Sequence, residues 1–153
     1  MKWKIYSVFV VIVLVLVLDF LVLGRGVDSK EEKIVTKIID GDTIIVQGGE
    51  TIRLLGFDCD ERGKSCYGGA KERIEELILG KSVILESENE DKDIYGRSLR
   101  YVFLEDESIS EVMVREGYCV ARFPEDSKYK PEIVRAEEFA IVNEIGCKWK
   151  VGE

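Results

Sequence analysis

The chain has 153 residues, with 22 Lys and Arg against 30 Asp and Glu, a net charge of −8, four cysteines and no histidine. That length predicts one domain with a real core. The missing histidine excludes Ser–His and Cys–His nucleophile pairs, an imidazole base and His-ligated zinc, and the acidic balance argues against coating nucleic acid by bulk charge.

Residues 1–27 carry Lys2, Lys4 and Arg25 against Asp19, a net of +2 that leaves −10 on residues 28–153. A basic start and the apolar run Ile5–Leu23 read equally as a secretory signal or an uncleaved membrane anchor. Asp19 costs roughly 2.5–3.5 kcal/mol at a helix centre and less near the end, where it lies. Both readings place the rest of the chain outside, secreted or anchored to the outer face of the membrane through residues 5–23. Residues 28–32 read as a charged linker, and 33–150 as the working domain.

Lys33–Ile39 and Asp42–Val46 are rich in Ile, Val and Thr, and Glu50–Phe57 follows a Gly48-Gly49 turn, so a hairpin is expected. Ala70, Ile74, Leu77 and Ile78 then recur at helical spacing up to Gly80. Ser82–Glu88 and Ser98–Leu104 return to strand patterns around a polar turn at Asp91–Gly96. Ser108 and Glu111 form a capping box for a second helix that stops at Gly117. A short strand, Tyr118–Phe123, precedes a third helix that Pro131 opens and that runs to about Ile145, with Ala136 and Ala140 facing inward. This order predicts an α+β fold, an OB-fold five-stranded β-barrel with three helices.

In an exported chain the four cysteines read as disulfides. Of three connectivities, a local Cys59–Cys66 pair with a long-range Cys119–Cys147 pair is the simplest. An all-cysteine zinc site lacks any C-x2-C knuckle. Sparse amides (Gln47, Asn89, Asn143) with abundant Lys and Glu resemble hyperthermophile usage, so a thermostable protein is expected.

Three polar segments interrupt otherwise good strands. Asp40-Gly41-Asp42-Thr43 by itself reads as a plain turn. Arg53-Leu54-Leu55-Gly56-Phe57-Asp58-Cys59-Asp60-Glu61 puts an Arg inside an apolar strand, where it is costly without an anion, and three carboxylates at the strand's end. Asp93-Ile94-Tyr95-Gly96-Arg97 presents a second Arg on what is otherwise a solvated hairpin tip. Together they supply two carboxylates for a hard divalent cation, two Arg for a phosphate, and a further carboxylate to activate water. That is a sufficient kit for phosphodiester hydrolysis.

From about Val35 to Trp149 these segments, in this order, resemble the staphylococcal (micrococcal) nuclease family of thermonuclease-like domains. The resemblance extends to Val112–Gly117 before the last strand and to the Ala136-Glu137 helix. It implies calcium as cofactor, bound by Asp42, Asp58 and the backbone carbonyl of Cys59, with Asp40 in support. It implies Glu61 as the residue that orients or deprotonates water, and Arg53 and Arg97 as the pair on the scissile phosphate. Tyr95 matches a residue that contacts a terminal phosphate, and Asp93 belongs to the same substrate-binding segment. The implied reaction is calcium-dependent cleavage of DNA and RNA to 3′-phosphate ends, single strands favoured, by a monomer.

Departures from the family pattern are also legible. Cys59-Asp60 replaces Thr-Pro, which adds Asp60 as a fourth carboxylate near the cation, and a Cys59–Cys66 bridge would fix the loop as a prolyl ring does. Ile94 stands where Lys is common. Phe123, Tyr129 and Tyr118 are the candidates for stacking on a base, and Arg100, Arg122 and Lys128 are extra cations for phosphate. Two other readings compete: a catalytically inactive OB-fold module that binds nucleic acid or protein, and an acidic cation-binding surface protein. The intact set Asp42, Arg53, Asp58, Glu61 and Arg97 opposes the first, and the mid-strand Arg opposes the second.

Overall fold

A computed structural model describes residues 30–123 and 127–150. The apolar leader expected over residues 1–27 lies outside them. No helix among the described residues is long and apolar enough to cross a membrane.

Among the described residues, eight strands and four helices follow one another as β1 (Lys30–Ile38), β2 (Thr43–Val46), β3 (Thr51–Leu54), β4 (Gly56–Cys59), α1 (Tyr67–Ile78), β5 (Ser82–Lys92), β6 (Ser98–Leu104), β7 (Glu107–Ser108), α2 (Ile109–Arg115), β8 (Cys119–Arg122), α3 (Lys130–Val142) and α4 (Gly146–Trp149). Strands β3-β2-β1-β5-β6 are hydrogen-bonded in that order, and a parallel β3–β6 pairing closes them into a five-stranded barrel. The OB-type expectation holds. Closure removes the open edges that would otherwise invite pairing with other chains. Val35, Ile44, Val46, Ile52, Leu54, Leu85 and Val102 are buried from the strands, and Ala70, Ile74, Leu77 and Ile78 from α1, all in one apolar cluster. The α1 stripe is the one its spacing predicts. Ile133, Ala136 and Ala140 are the buried face of α3.

Among the boundaries that differ from expectation, three have a clear local reason, while β5 also runs four residues past the expected Glu88 to Lys92. Lys30–Glu32, read as linker, extend β1 and pair with Glu86, Leu85 and Ile84 of β5. Their charges do not prevent this, because the side chains are exposed while the backbone completes the ladder; the Glu32 carboxylate also accepts from Ser82 at 2.7 Å. The run expected as one strand over Glu50–Phe57 breaks at Leu55. Gly56 takes φ +92°, and a Cβ there would lie 2.5 Å from Ile133. The chain therefore turns out of the barrel as β4, which pairs with β8. The third helix stops at Val142, where Glu144 (φ 52°) and Gly146 (φ 74°) take left-handed conformations, and the chain restarts as the short α4.

The disulfides are Cys59–Cys119 and Cys66–Cys147, which corrects the local pairing expected from sequence. Cys59 and Cys119 are direct cross-strand partners in the β4–β8 ribbon, with Cα atoms 4.4 Å apart. Cys66 caps α1 beside α4, whose Cys147 it meets. Sheet pairing, not sequence proximity, decides which thiols face each other.

Candidate active site

The β1–β2 connection is so tight because Gly41 lies against β4 and α1. A Cβ at residue 41 would come 2.8 Å from Cys59 Sγ and 3.0 Å from the Ala70 methyl. The Ile39 N–H donates to the Thr43 carbonyl at 2.9 Å, and Asp40 accepts from the Asp42 N–H at 3.1 Å. Asp42 is thereby held nearly buried at the start of β2. Its Oδ2 accepts from the Cys59 N–H at 2.9 Å, and its Oδ1 accepts from the Thr43 hydroxyl at 3.2 Å.

Arg53, on β3, sits between Thr43 on β2 and Leu99 on β6 in the barrel wall. Its guanidinium donates to the carbonyls of Leu54 and Phe57. One of its nitrogens reaches Asp58 Oδ1 at 2.8 Å and Asp42 Oδ2 at 3.3 Å. The mid-strand Arg thus meets the anions that its position demanded. Arg97 comes from the β5–β6 turn, which Asp93 organises by accepting from the backbone N–H of Tyr95 and Arg97. The Arg97 guanidinium donates to Asp93 at 2.7 Å and to Thr43 Oγ1 at 3.2 Å. Thr43 therefore bridges Asp42 and Arg97. Its own role is visible only when three strands are brought together, although it stood inside a recognised motif.

Asp40, Asp42, Arg53, Asp58, Glu61, Asp93 and Arg97 all line one open cleft of about 510 Å³. Residues spread over nearly sixty positions of sequence converge there. Arg122 and Phe123, at the end of β8, complete the rim, and Arg122 contacts Asp58 at 2.9 Å. Of the extra cations considered from sequence, Arg122 alone reaches the cleft: Arg100 pairs with Asp91, and Lys128 with Glu86. Tyr95 is 77% exposed, with Arg97 stacked 5.4 Å from its ring centre.

Other sequence expectations are displaced. Tyr129, a stacking candidate, packs edge-on against Tyr101 and Phe103, and its hydroxyl bonds both oxygens of Glu86, so it supports the fold away from the cleft. Tyr118 lies against Gly69 of α1. Asp60 does not join the cleft; it is ion-paired to Lys148 and accepts from the Cys66 N–H. A cavity of about 520 Å³ also opens by α2 and α3, walled by Glu111, Arg115, Phe139 and Ile145, and contains none of the residues above.

Two carboxylates and a neighbouring backbone segment fit a hard divalent cation. Asp42 and Asp58 approach one guanidinium nitrogen from different elements, so their oxygens converge. Burial pushes Asp42 up to about 6; Arg53 and the Cys59 N–H pull it down, and the nearby carboxylates of Asp40 and Asp58 add to the rise. Five carboxylates, Asp40, Asp42, Asp58, Glu61 and Asp93, line the cleft against Arg53, Arg97 and Arg122. Among the described residues no three His, Cys, Asp or Glu side chains form a complete cage. The available shell is partial and built of oxygen, which suits an ion that keeps several water ligands.

Comparison with known proteins places this arrangement. Residues 51–149 match the family model described as Staphylococcal nuclease homologue. The chain is 37% identical over 120 residues to a thermonuclease of Staphylococcus intermedius, covering 72% of this chain and 71% of that one. It is 34% identical over 116 residues to the thermonuclease of Staphylococcus hyicus, 69% of each chain. The endonuclease YncB of Bacillus subtilis is 33% identical over 115 residues, 69% of this chain and 53% of its own length. The matched stretch carries the barrel's closing strands and most of the cleft, and so the chain belongs to the staphylococcal nuclease family and is a nuclease.

Proposed function

We propose that this nuclease hydrolyses single-stranded DNA and RNA with calcium, leaves 3′-phosphate ends, and works outside the cytoplasm, secreted or held on the outer membrane face. The observation that carries the reading is that Arg53, Arg97 and Glu61 share one cleft with the carboxylates of Asp42 and Asp58. Asp42, Asp58 and the Cys59 carbonyl would hold the ion, with Asp40 fixing the backbone of Asp42. When bound, calcium supplies positive charge that lowers the cost of charge building on the phosphate. The two guanidiniums bind the non-bridging oxygens of the scissile phosphate and fix its orientation. Glu61 takes a proton from the attacking water as its oxygen bonds phosphorus. The P–O5′ bond then breaks, the 5′-oxygen takes a proton from solvent, and the phosphate stays on the 3′-oxygen. Charge at the cleft is local and the domain is acidic, so a flexible single strand, able to bring one phosphate down to the two Arg, suits it better than a stiff duplex. Export is supported by the apolar leader and by two disulfides, which persist in oxidising compartments.

The test is digestion of single-stranded DNA and RNA in millimolar calcium with end-group analysis. Product with 3′-phosphates, lost on chelation and reduced about 10²–10³-fold in Arg53→Ala and Glu61→Gln, is expected. Absence of cleavage across divalent ions and temperatures would overturn the reading.

A further inference from the structure

Glu61 has an exposed carboxylate that lines the cleft and makes no hydrogen bond or ion pair among the described residues. Its position is therefore set wholly by the backbone that carries it. That backbone is a short closed ring. Asp60 Oδ2 accepts the Cys66 N–H at 3.0 Å, the Lys64 N–H donates to the Glu61 carbonyl at 3.0 Å, and the Tyr67 N–H donates to the Lys64 carbonyl at 3.3 Å. The other oxygen of Asp60 receives Lys148 Nζ at 2.5 Å, and both side chains are less than one-fifth exposed. Lys148 is itself fixed, because its N–H donates to the Gly117 carbonyl at 3.0 Å and the preceding Cys147 is bonded to Cys66. The ring is thus anchored to α4 at both ends, by an ion pair beside Glu61 and a disulfide at its close.

We propose that Lys148, at the far end of the chain, is a positioning residue for Glu61, acting through Asp60. This rests on the reading that Glu61 handles the water's proton. Without Lys148, Asp60 keeps a partly buried charge with no ion-pair partner, Lys64 acting on it only through space, and turns outward to water, releasing the Cys66 N–H and opening the ring. Glu61 then loses its fixed approach to the water, while Arg53 and Arg97, held on other elements, still bind phosphate. Misplacement of a reacting group by about 1 Å costs up to roughly 10²-fold in rate.

The experiment is steady-state cleavage of single-stranded DNA by the oxidised, full domain carrying Lys148→Met. Its kcat should fall about tenfold or more, with KM within about twofold, and Lys148→Arg should restore most of kcat. In a Glu61→Gln background, Lys148→Met should change the residual rate little, since the group it positions is gone. Trypsin should also nick the variant faster after Arg62 or Lys64. An unchanged kcat, a rise in KM alone, or the same fold-loss with Glu61→Gln would overturn the proposal. Should Lys148→Met fail to fold, Asp60→Ala carries the same expectations, since it removes both the partner of Lys148 and the acceptor of the Cys66 N–H. An inactive wild-type protein would instead refute the functional reading, which separates the two failures.

Discussion

If Asp42 holds the cation as proposed, function and stability oppose each other there, and Asp42→Asn measures by how much. In the folded domain its pKa is pushed up from an ordinary 3.8 to about 6, with burial the first cause and the nearby Asp40 and Asp58 adding to it. A carboxyl whose value rises on folding binds its proton more tightly when folded. The resulting penalty is absent below about 3.8, grows as the pH climbs to about 6, and is complete above that. At ~1.4 kcal/mol per tenfold change the ceiling is about 3 kcal/mol. The carboxamide keeps acceptors and donors for Cys59 and Thr43 but leaves Arg53 one anion fewer, so a net gain of about 2 kcal/mol is expected. For a domain of this size that raises the melting midpoint by about 5–10 °C. Melts with a chelator present should show the gain at pH 8 and lose it near pH 3.5, while cleavage falls at least about 10²-fold. Destabilisation at pH 8, or an equal shift at both pH values, would refute the electrostatic account. Calcium added to the wild type should restore midpoint by linkage, about 2.7 kcal/mol at a hundred times its dissociation constant, and should not act on Asp42→Asn.

The two disulfides close loops with sequence separations of 60 and 81 residues, so removing either as a double Cys→Ala variant should cost about 4 kcal/mol, read from urea midpoints. Peptide mapping without reductant should recover Cys59 with Cys119; a Cys59–Cys66 peptide would contradict the ribbon register. Arg122 is 73% exposed at its side chain, so a phosphate contact made by it would be of rim type. Arg122→Gln should raise KM up to about fivefold at low salt, with kcat within about twofold. It should also make the log–log salt slope for single strands shallower by about 0.7. A salt slope identical to wild type would remove Arg122 from the substrate path.

What the sequence made legible was whatever lies within a few residues of a strand end. Asp40, Asp42, Asp58, Glu61 and Arg97 each flank a turn, and a polar residue interrupting an apolar strand is visible without coordinates. Arg53 was legible because its burial is expensive unless anions surround it, and Asp42 and Asp58 do. The helix faces followed for the same reason, since Ala70 to Ile78 keep a single period. What stayed hidden depends on which distant elements meet. Asp60 looks like a cleft carboxylate until α4 brings Lys148 to it, and Tyr129 looks like a stacking ring until Glu86 captures its hydroxyl. The cysteine pairing belongs to this second kind, because the β4–β8 register is a tertiary fact. Gly56 is an intermediate case: a glycine in a strand signals a bend, but not that the following strand leaves the barrel.

The parallel pairing of β3 with β6 joins segments that the chain separates by two strands and a helix, and Arg53 and Arg97 stand at its two sides. Such a contact is expected to form late, since the intervening loop must be ordered before closure repays its entropy. Arg53 and Arg97, the proposed phosphate clamp, come from different halves of the chain. On the proposed reading a nascent or partly unfolded chain should therefore cleave no nucleic acid around it, and activity is expected only once the barrel has closed. During refolding, the appearance of cleavage is a clock for barrel closure itself.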